Sequence, residues 1–197
     1  MFSLLAAIHL LWFNLGLAVS GELTYMSIEE VILDRVKRKM LYPLWPKRKG
    51  DTSRRALLLS EEVFAALTAE RADPDDKYRF GVLRADLEHF VTSERIDGKY
   101  LFHLYPSRDA VWEIRSVREE PSIRVLGFLA AYDVFVAMTH VRREDLGGWQ
   151  SREWKQIKRR AGAQWRAMFE PYKPRSGTNP ADHVSGVLSG KFYQDRG

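Results

Sequence analysis

The sequence predicts an α+β fold, with helices packed on one face of a mostly antiparallel sheet. Three observations carry this. Apolar residues recur at helical spacing as far as Thr92, the period drops to two after Asp97-Gly98, and helical spacing returns from Gln150 to Phe169. The chain has 197 residues, 45% of them apolar, enough to bury one core and leave appendages.

Residues 1–25 hold the apolar run FSLLAAIHLLWFNLGLAVSG. It reads as a signal or an anchor, although no Lys or Arg precedes it and His9 and Asn14 interrupt it. The alternative is a start at Met26, which leaves the run outside the protein. From there Ser27 and Glu30 form a capping box, and Ile28, Val31, Ile32, Val36 and Met40 recur at helical spacing. Ser27 to Leu41 is thus a helix, which Pro43 and Pro46 end, and residues 26–54 make a basic amphipathic helix and loop.

RALLLS, from Arg55 to Ser60, suits a short buried strand. Ser60 caps a second helix, EEVFAALTAERA, closed by Asp73-Pro74. A third runs from about Lys77 to Thr92, with Phe80, Leu83, Leu87 and Phe90 on one face and Asp75 and Asp76 at its start. Then come four β-type runs: KYLFHLY, VWEIRSV, SIRVLGFLA and DVFVAMT. Only Ala131-Tyr132-Asp133 separates the last two, which makes them a tight antiparallel hairpin in a four-strand meander. Gly147-Gly148 breaks the chain before a final helix over Gln150 to Phe169, with Trp154, Ile157, Ala161, Trp165 and Met168 on its apolar side. Residues 171–197 are rich in Gly, Pro, Ser and Asn and read as a flexible tail.

Cysteine is absent, which excludes disulfides, Cys-ligated zinc, iron–sulfur clusters and a cysteine nucleophile. His9, His89, His103, His140 and His183 show no metal-ligand spacing, so neither a metal nor a cofactor is expected. The net charge of +5 is unevenly spread. Arg35 to Arg55 carries nine cations against Asp51 alone, and Arg142 to Arg175 carries ten against Glu144, Asp145, Glu153 and Glu170. Such blocks suggest a polyanion, nucleic acid before membrane, with plain solvated helix faces as the alternative.

The strand run carries further letters: Trp112-Glu113-Ile114-Arg115, then Ile123-Arg124-Val125-Leu126-Gly127-Phe128, then Val134 to Thr139 leading into His140-Val141-Arg142-Arg143. In that order they resemble the RelE/HigB/ParE toxin superfamily, in its HigB-like, phage-related branch. The resemblance covers Arg55 to Phe169 by element order and specific letters only between Trp112 and Arg143. The chain departs from it in the short SVREEP link, in Arg-Arg where that branch has Lys-Lys, and in LGGWQSREWKQIKRR downstream. The extension before Arg55 and the tail after Pro174 have no counterpart in it.

The resemblance implies a RelE-like domain over residues 55–170: an antiparallel sheet of four to five strands packed against N-terminal helices, with a C-terminal helix. It also implies a toxin of a toxin–antitoxin system, a metal-independent endoribonuclease acting on mRNA in the cytoplasm, at the ribosome, with a cognate antitoxin as partner. Such cleavage uses the neighbouring 2′-hydroxyl and needs cations on the phosphate and a proton-transferring group. The candidates are Arg115 and Arg124 for the phosphate and His140 as acid or base. Arg118, Arg142, Arg143 and Lys155 would bind RNA; Tyr132 and Lys155 are weaker proton-transfer candidates. Trp112, Trp149, Trp154 and Trp165 suit either base stacking or a core. Against this stand two other readings. One is a non-catalytic nucleic-acid- or protein-binding module on the same fold, with Arg115 merely paired to Glu113 or Glu119. The other is a basic protein tethered to a membrane through residues 2–20.

Overall fold

The computed structural model describes residues 26–48, 50–116, 122–148 and 151–186. Its elements are α1 (Ile28–Lys37), β1 (Leu41–Pro43), β2 (Ala56–Ser60), α2 (Glu61–Thr68), α3 (Pro74–Thr92), β3 (Leu101–His103), β4 (Trp112–Arg115), β5 (Ile123–Ala131), β6 (Val134–Arg142) and α4 (Arg152–Phe169). The α+β class holds. The leader 1–25, Arg118, Trp149 and residues 187–197 lie outside the described residues.

Two features of the expected architecture are corrected. The sheet has six strands in the order β1-β2-β6-β5-β4-β3 and is mixed, because β2 pairs in parallel with β6 while every other pair is antiparallel. Its helices also cover both faces. Leu57, Leu59, Val125, Leu129 and Phe135 pack with Val63, Phe80, Leu83, Leu87 and Phe90 of α2 and α3. Leu58, Leu126, Phe128, Val136 and Met138 pack with Val31 and Ile32 of α1 and with Trp154, Ile157, Ala161, Trp165 and Phe169 of α4. Strands that bury both sides cannot alternate with polar residues, which is why ALLL and VFVAM are unbroken apolar runs.

Local signals place the elements. Ser27 and Glu30 form both halves of the capping box on α1. The Ser60 hydroxyl accepts from the Val63 amide at the start of α2. Asp73-Pro74 opens α3 rather than closing α2: Asp73 caps it and Pro74 sits in its first turn, where a missing N–H costs nothing. The β5–β6 hairpin turns at Tyr132-Asp133, with Asp133 at φ 61°. Gly127 lies at a register shift in that hairpin. A Cβ there would collide with the Val136 carbonyl and stand 2.8 Å from the Phe135 ring.

Residues 171–186, expected to be loose, are docked. The Arg175 amide donates to the Leu129 carbonyl, the Asp133 amide to His183, and the Ser185 amide to the Asp133 carboxylate at 2.7 Å. Val184 and His183 are both 1% exposed. Arg55, 2% exposed, ties this strap to α3: its guanidinium donates to the carbonyls of Phe90 (2.8 Å), Ser93 and Ser185 (2.9 Å). Gly186 closes the strap at φ +73°, and a Cβ on it would run into the Glu94 carbonyl.

The His183 ring meets the edge of Trp112 at 5.4 Å, and His103 meets Trp112 from elsewhere at 4.8 Å. Burial lowers the pKa of both imidazoles, Arg175 adding to the effect at His183 and the His183 charge at His103. The folded protein therefore holds them neutral where the unfolded chain begins to protonate, at about pH 6.5. Below that pH the unfolded state binds more protons, so stability is present above it and declines as the solution is acidified. Urea midpoints measured from pH 7.5 to 5.5 are expected to fall, most steeply below about pH 6.5, and His183→Gln is expected to flatten the fall.

Candidate nucleic-acid interface

Helix α4 supplies the most basic surface. Its eighteen residues carry Arg152, Lys155, Lys158, Arg159, Arg160 and Arg166 against one acid, Glu153. The helix itself gains little from this arrangement, since only Arg166, in its last turn, suits the dipole. Lys155 and Arg159, four residues apart, repel each other, and cations in the first half oppose the helix dipole. Trp154, Ile157, Ala161, Trp165 and Phe169 bury the other side against β5 and β6, so the register of the apolar stripe forces Lys155, Arg159 and Arg166 outward.

Facing them is the turn between β3 and β4, where Tyr105 is 62% exposed. Together they enclose a groove of about 600 Å³ lined by Tyr105, Arg108, Lys155, Lys158, Arg159 and Arg166, with Asp109 the lone carboxylate in its wall. The Lys158 ammonium donates to the Tyr105 carbonyl and pins the two walls together. Gly162 leaves the middle of the helical wall without a side chain; the nearest group to a Cβ built there is the Arg166 guanidinium, 3.6 Å away. Among the described residues no carboxylate forms an ion pair with Lys155, Lys158, Arg159 or Arg166, and Asp109 lies 3.9 Å from Arg108.

Beside the groove, one residue along α4 and further along β4, is a smaller hollow of about 190 Å³. Glu113, Arg115, Arg124, Arg143 and Trp154 line it. Arg115 and Arg124 are register partners on β4 and β5, so their side chains leave the sheet on the same face. Arg143 reaches the hollow from the turn after β6, with its Nη1 donating to the Leu146 carbonyl at 2.7 Å. The expected pairing of Arg115 with Glu113 is present: its Nε donates to the Glu113 carboxylate, and its guanidinium lies 4.0 Å over the Phe102 ring.

The remaining expected residues are not part of this cluster. His140 pairs in register with Val125 and Arg142 with Ile123, which turns both toward the opposite face. There Arg142 is fixed on Asp76 through two bonds of 2.6 and 2.7 Å, and His140 packs edge-on to Phe80 with its Nδ1 3.6 Å from Glu62. Burial lowers the His140 pKa against the pull of Glu62, so the ring is neutral at physiological pH. Glu62 is itself held by Thr139 (2.6 Å), Gln164 (2.8 Å) and Arg160 (2.7 Å), a clamp between α2, β6 and α4. A single phosphate cradle that unites Arg115 and Arg124 with Arg142 and His140 is therefore excluded by the sheet that lies between them. Trp112, Trp154 and Trp165 are buried, and Tyr132 sits exposed on the β5–β6 turn.

The first basic block also disperses in three dimensions. Arg35 and Arg38 share Asp34, Arg54 meets Glu94 at 2.6 Å, and Arg55 is interior. A second hollow, of about 580 Å³, lies on the α2–α3 side, but there Arg71 stacks on Phe80 at 3.5 Å and Arg84 is bonded to Glu88 and to the Trp45 carbonyl. Of the cations lining the groove, only Lys155 is among the residues expected from the sequence; Arg108, Lys158, Arg159 and Arg166 are not, although the near-absence of acids on α4 is a readable signal. Among the described residues no group of His, Cys, Asp or Glu is placed to hold a metal ion, and no helix is long and apolar enough to cross a membrane. Compared with protein-family models, curated proteins and solved structures, the chain matches none.

Proposed function

We propose that this protein binds RNA along the groove between α4 and the β3–β4 turn. One observation carries the reading: five cations line a concave surface, and of the four that α4 bears only Arg166, in its last turn, favours the helix. Five cations with one carboxylate among them are suited to phosphates, where binding releases the counterions that condense on the polyanion. A groove walled on one side by an exposed tyrosine fits a single strand, whose bases stack on aromatic rings, better than it fits a flat lipid surface. The cytoplasm is where such a partner is met. Fluorescence anisotropy with a single-stranded RNA is expected to show binding that weakens steeply from about 50 to about 200 mM salt. Absence of binding, or binding indifferent to salt, would overturn the reading.

A second reading keeps the RelE/HigB resemblance and makes the protein an endoribonuclease toxin with an acidic antitoxin covering this face. The observation that favours it is the sharing of one hollow by Arg115, Arg124 and Arg143. The position of His140 behind the sheet weighs against it, because a proton-transferring group must reach the scissile linkage. Labelled RNA incubated with the protein and a chelator separates the two: intact RNA is expected for a binding module, fragments with cyclic phosphate ends for the toxin.

A further inference from the structure

The small hollow has a chemical character that a phosphate cradle lacks. Glu113 forms part of its wall at 1% exposure. One of its oxygens, Oε1, accepts from Arg115, whereas Oε2 is buried and accepts no hydrogen bond among the described residues. A buried acceptor without a donor is costly and unusual, and a carboxylate oxygen is the costlier kind. A phosphate placed here would set its oxyanions against that oxygen. An N–H group would satisfy it.

We infer that the hollow formed by Glu113, Arg115, Arg124, Arg143 and Trp154 receives one guanine base of an RNA strand bound in the adjacent groove. The inference rests on the RNA-binding reading and deepens it. The hollow, about 190 Å³, is smaller than the roughly 300 Å³ at which pockets for drug-sized ligands begin, and so suits one ring system rather than a longer ligand. Its polar lining is mixed, with one unsatisfied acceptor among guanidinium donors. Guanine offers the complement, ring and exocyclic N–H groups along one edge with O6 and N7 acceptors beside them. Arginine reads O6 and N7 in a bidentate fashion, which uracil cannot match because it lacks N7. The Trp154 indole adds an apolar wall. Arg115 acts here as a positioning residue, since Phe102 and Glu113 already fix its guanidinium and through it the carboxylate. Trp154 and Lys155 follow one another on α4 and line the hollow and the groove respectively.

The test compares single-stranded RNA oligomers of equal length with and without guanine, and the four nucleoside monophosphates as competitors. The expected result is about tenfold tighter binding of the guanine-containing strand and strongest competition by guanosine monophosphate. Glu113→Gln is expected to bring that ratio to about one, because an amide presents a donor as readily as an acceptor. Salt-dependent binding with equal affinity for all four bases overturns the guanine pocket and leaves the groove standing. Loss of all RNA binding by the wild-type protein overturns both. The wild-type ratio decides the matter even if Glu113→Gln fails to fold for want of a partner to Arg115.

Discussion

Replacing Arg55 by alanine is expected to lower the stability of the protein by roughly 3–5 kcal/mol, a large part of the 5–15 kcal/mol typical of a domain. The side chain is interior, and its guanidinium donates to carbonyls that come from two separate parts of the chain. Those of Phe90 and Ser93 end α3, and that of Ser185 ends the strap. Burial disfavours the charge and lowers its pKa, with Asp133 in partial compensation, yet a guanidinium stays protonated. Truncation takes this donor from the carbonyls and opens a cavity beside Phe90, whose ring the guanidinium faces at 5.6 Å. Lysine is expected to recover little, because one ammonium cannot reproduce a planar fork directed at two chain segments. The strap should also lose protection first. Hydrogen exchange at the Ser185 amide, now bonded to Asp133, is expected to accelerate more than exchange within β5 and β6. A drop below about 1 kcal/mol, or unchanged protection of the strap, would contradict this account.

Much of this was legible in the residues, and the failures have definite physical causes. The Ser60 cap, the α3 apolar stripe and the Tyr132-Asp133 hairpin follow from local chemistry that needs no distant partner. The placement of helices on one face ignored what ALLL and VFVAM imply, since a strand with a wet side alternates. β1 spans three residues and has no periodicity to detect; β2 alone defines it. The strap looked loose because it is rich in Gly, Pro, Ser and Asn, whereas His183, Val184 and Arg175 anchor it.

The arginine cluster shows the same division. Arg142 and Arg143 are adjacent at the end of β6, so only one of them could join Arg115 and Arg124, and strand alternation already said so. Which one depends on register. Arg124 stands opposite Val141; a shift of one residue would have set it opposite His140 or Arg142 and brought that residue to its face. Two irregularities interrupt the hairpin, between Leu129 and Ala131 and between Leu126 and Gly127, and they offset each other, so Arg124 meets Val141 in the register that Ala131 and Val134 set at the turn. The second is the one the sequence hides: it depends on the close approach of Gly127 to the Val136 carbonyl and the Phe135 ring.

Removing three groove cations together, as Lys155→Ala, Lys158→Ala and Arg159→Ala in one protein, is expected to weaken RNA binding about a hundredfold at moderate salt. Each cation that meets a phosphate of a single strand contributes about 0.7 to the slope of log affinity against log salt, so the slope should shrink by about two. Thermal stability should hold or rise slightly. Lys155 and Arg159 repel across one helical turn, and Lys158 lends the fold only its bond to the Tyr105 carbonyl. The control must remove equal charge from elsewhere, because any loss of positive charge lowers long-range attraction to a polyanion. Lys47→Ala, Arg71→Ala and Lys77→Ala together do this around the hollow on the α2–α3 side. They are expected to slow association modestly and to leave the salt slope almost unchanged. The two triple variants remove equal charge from opposite faces of the sheet, and because Arg71→Ala also loses a stack on Phe80, both are compared at a temperature where each is fully folded. Equal weakening by both would mean that net charge, and not the groove along α4, holds the RNA.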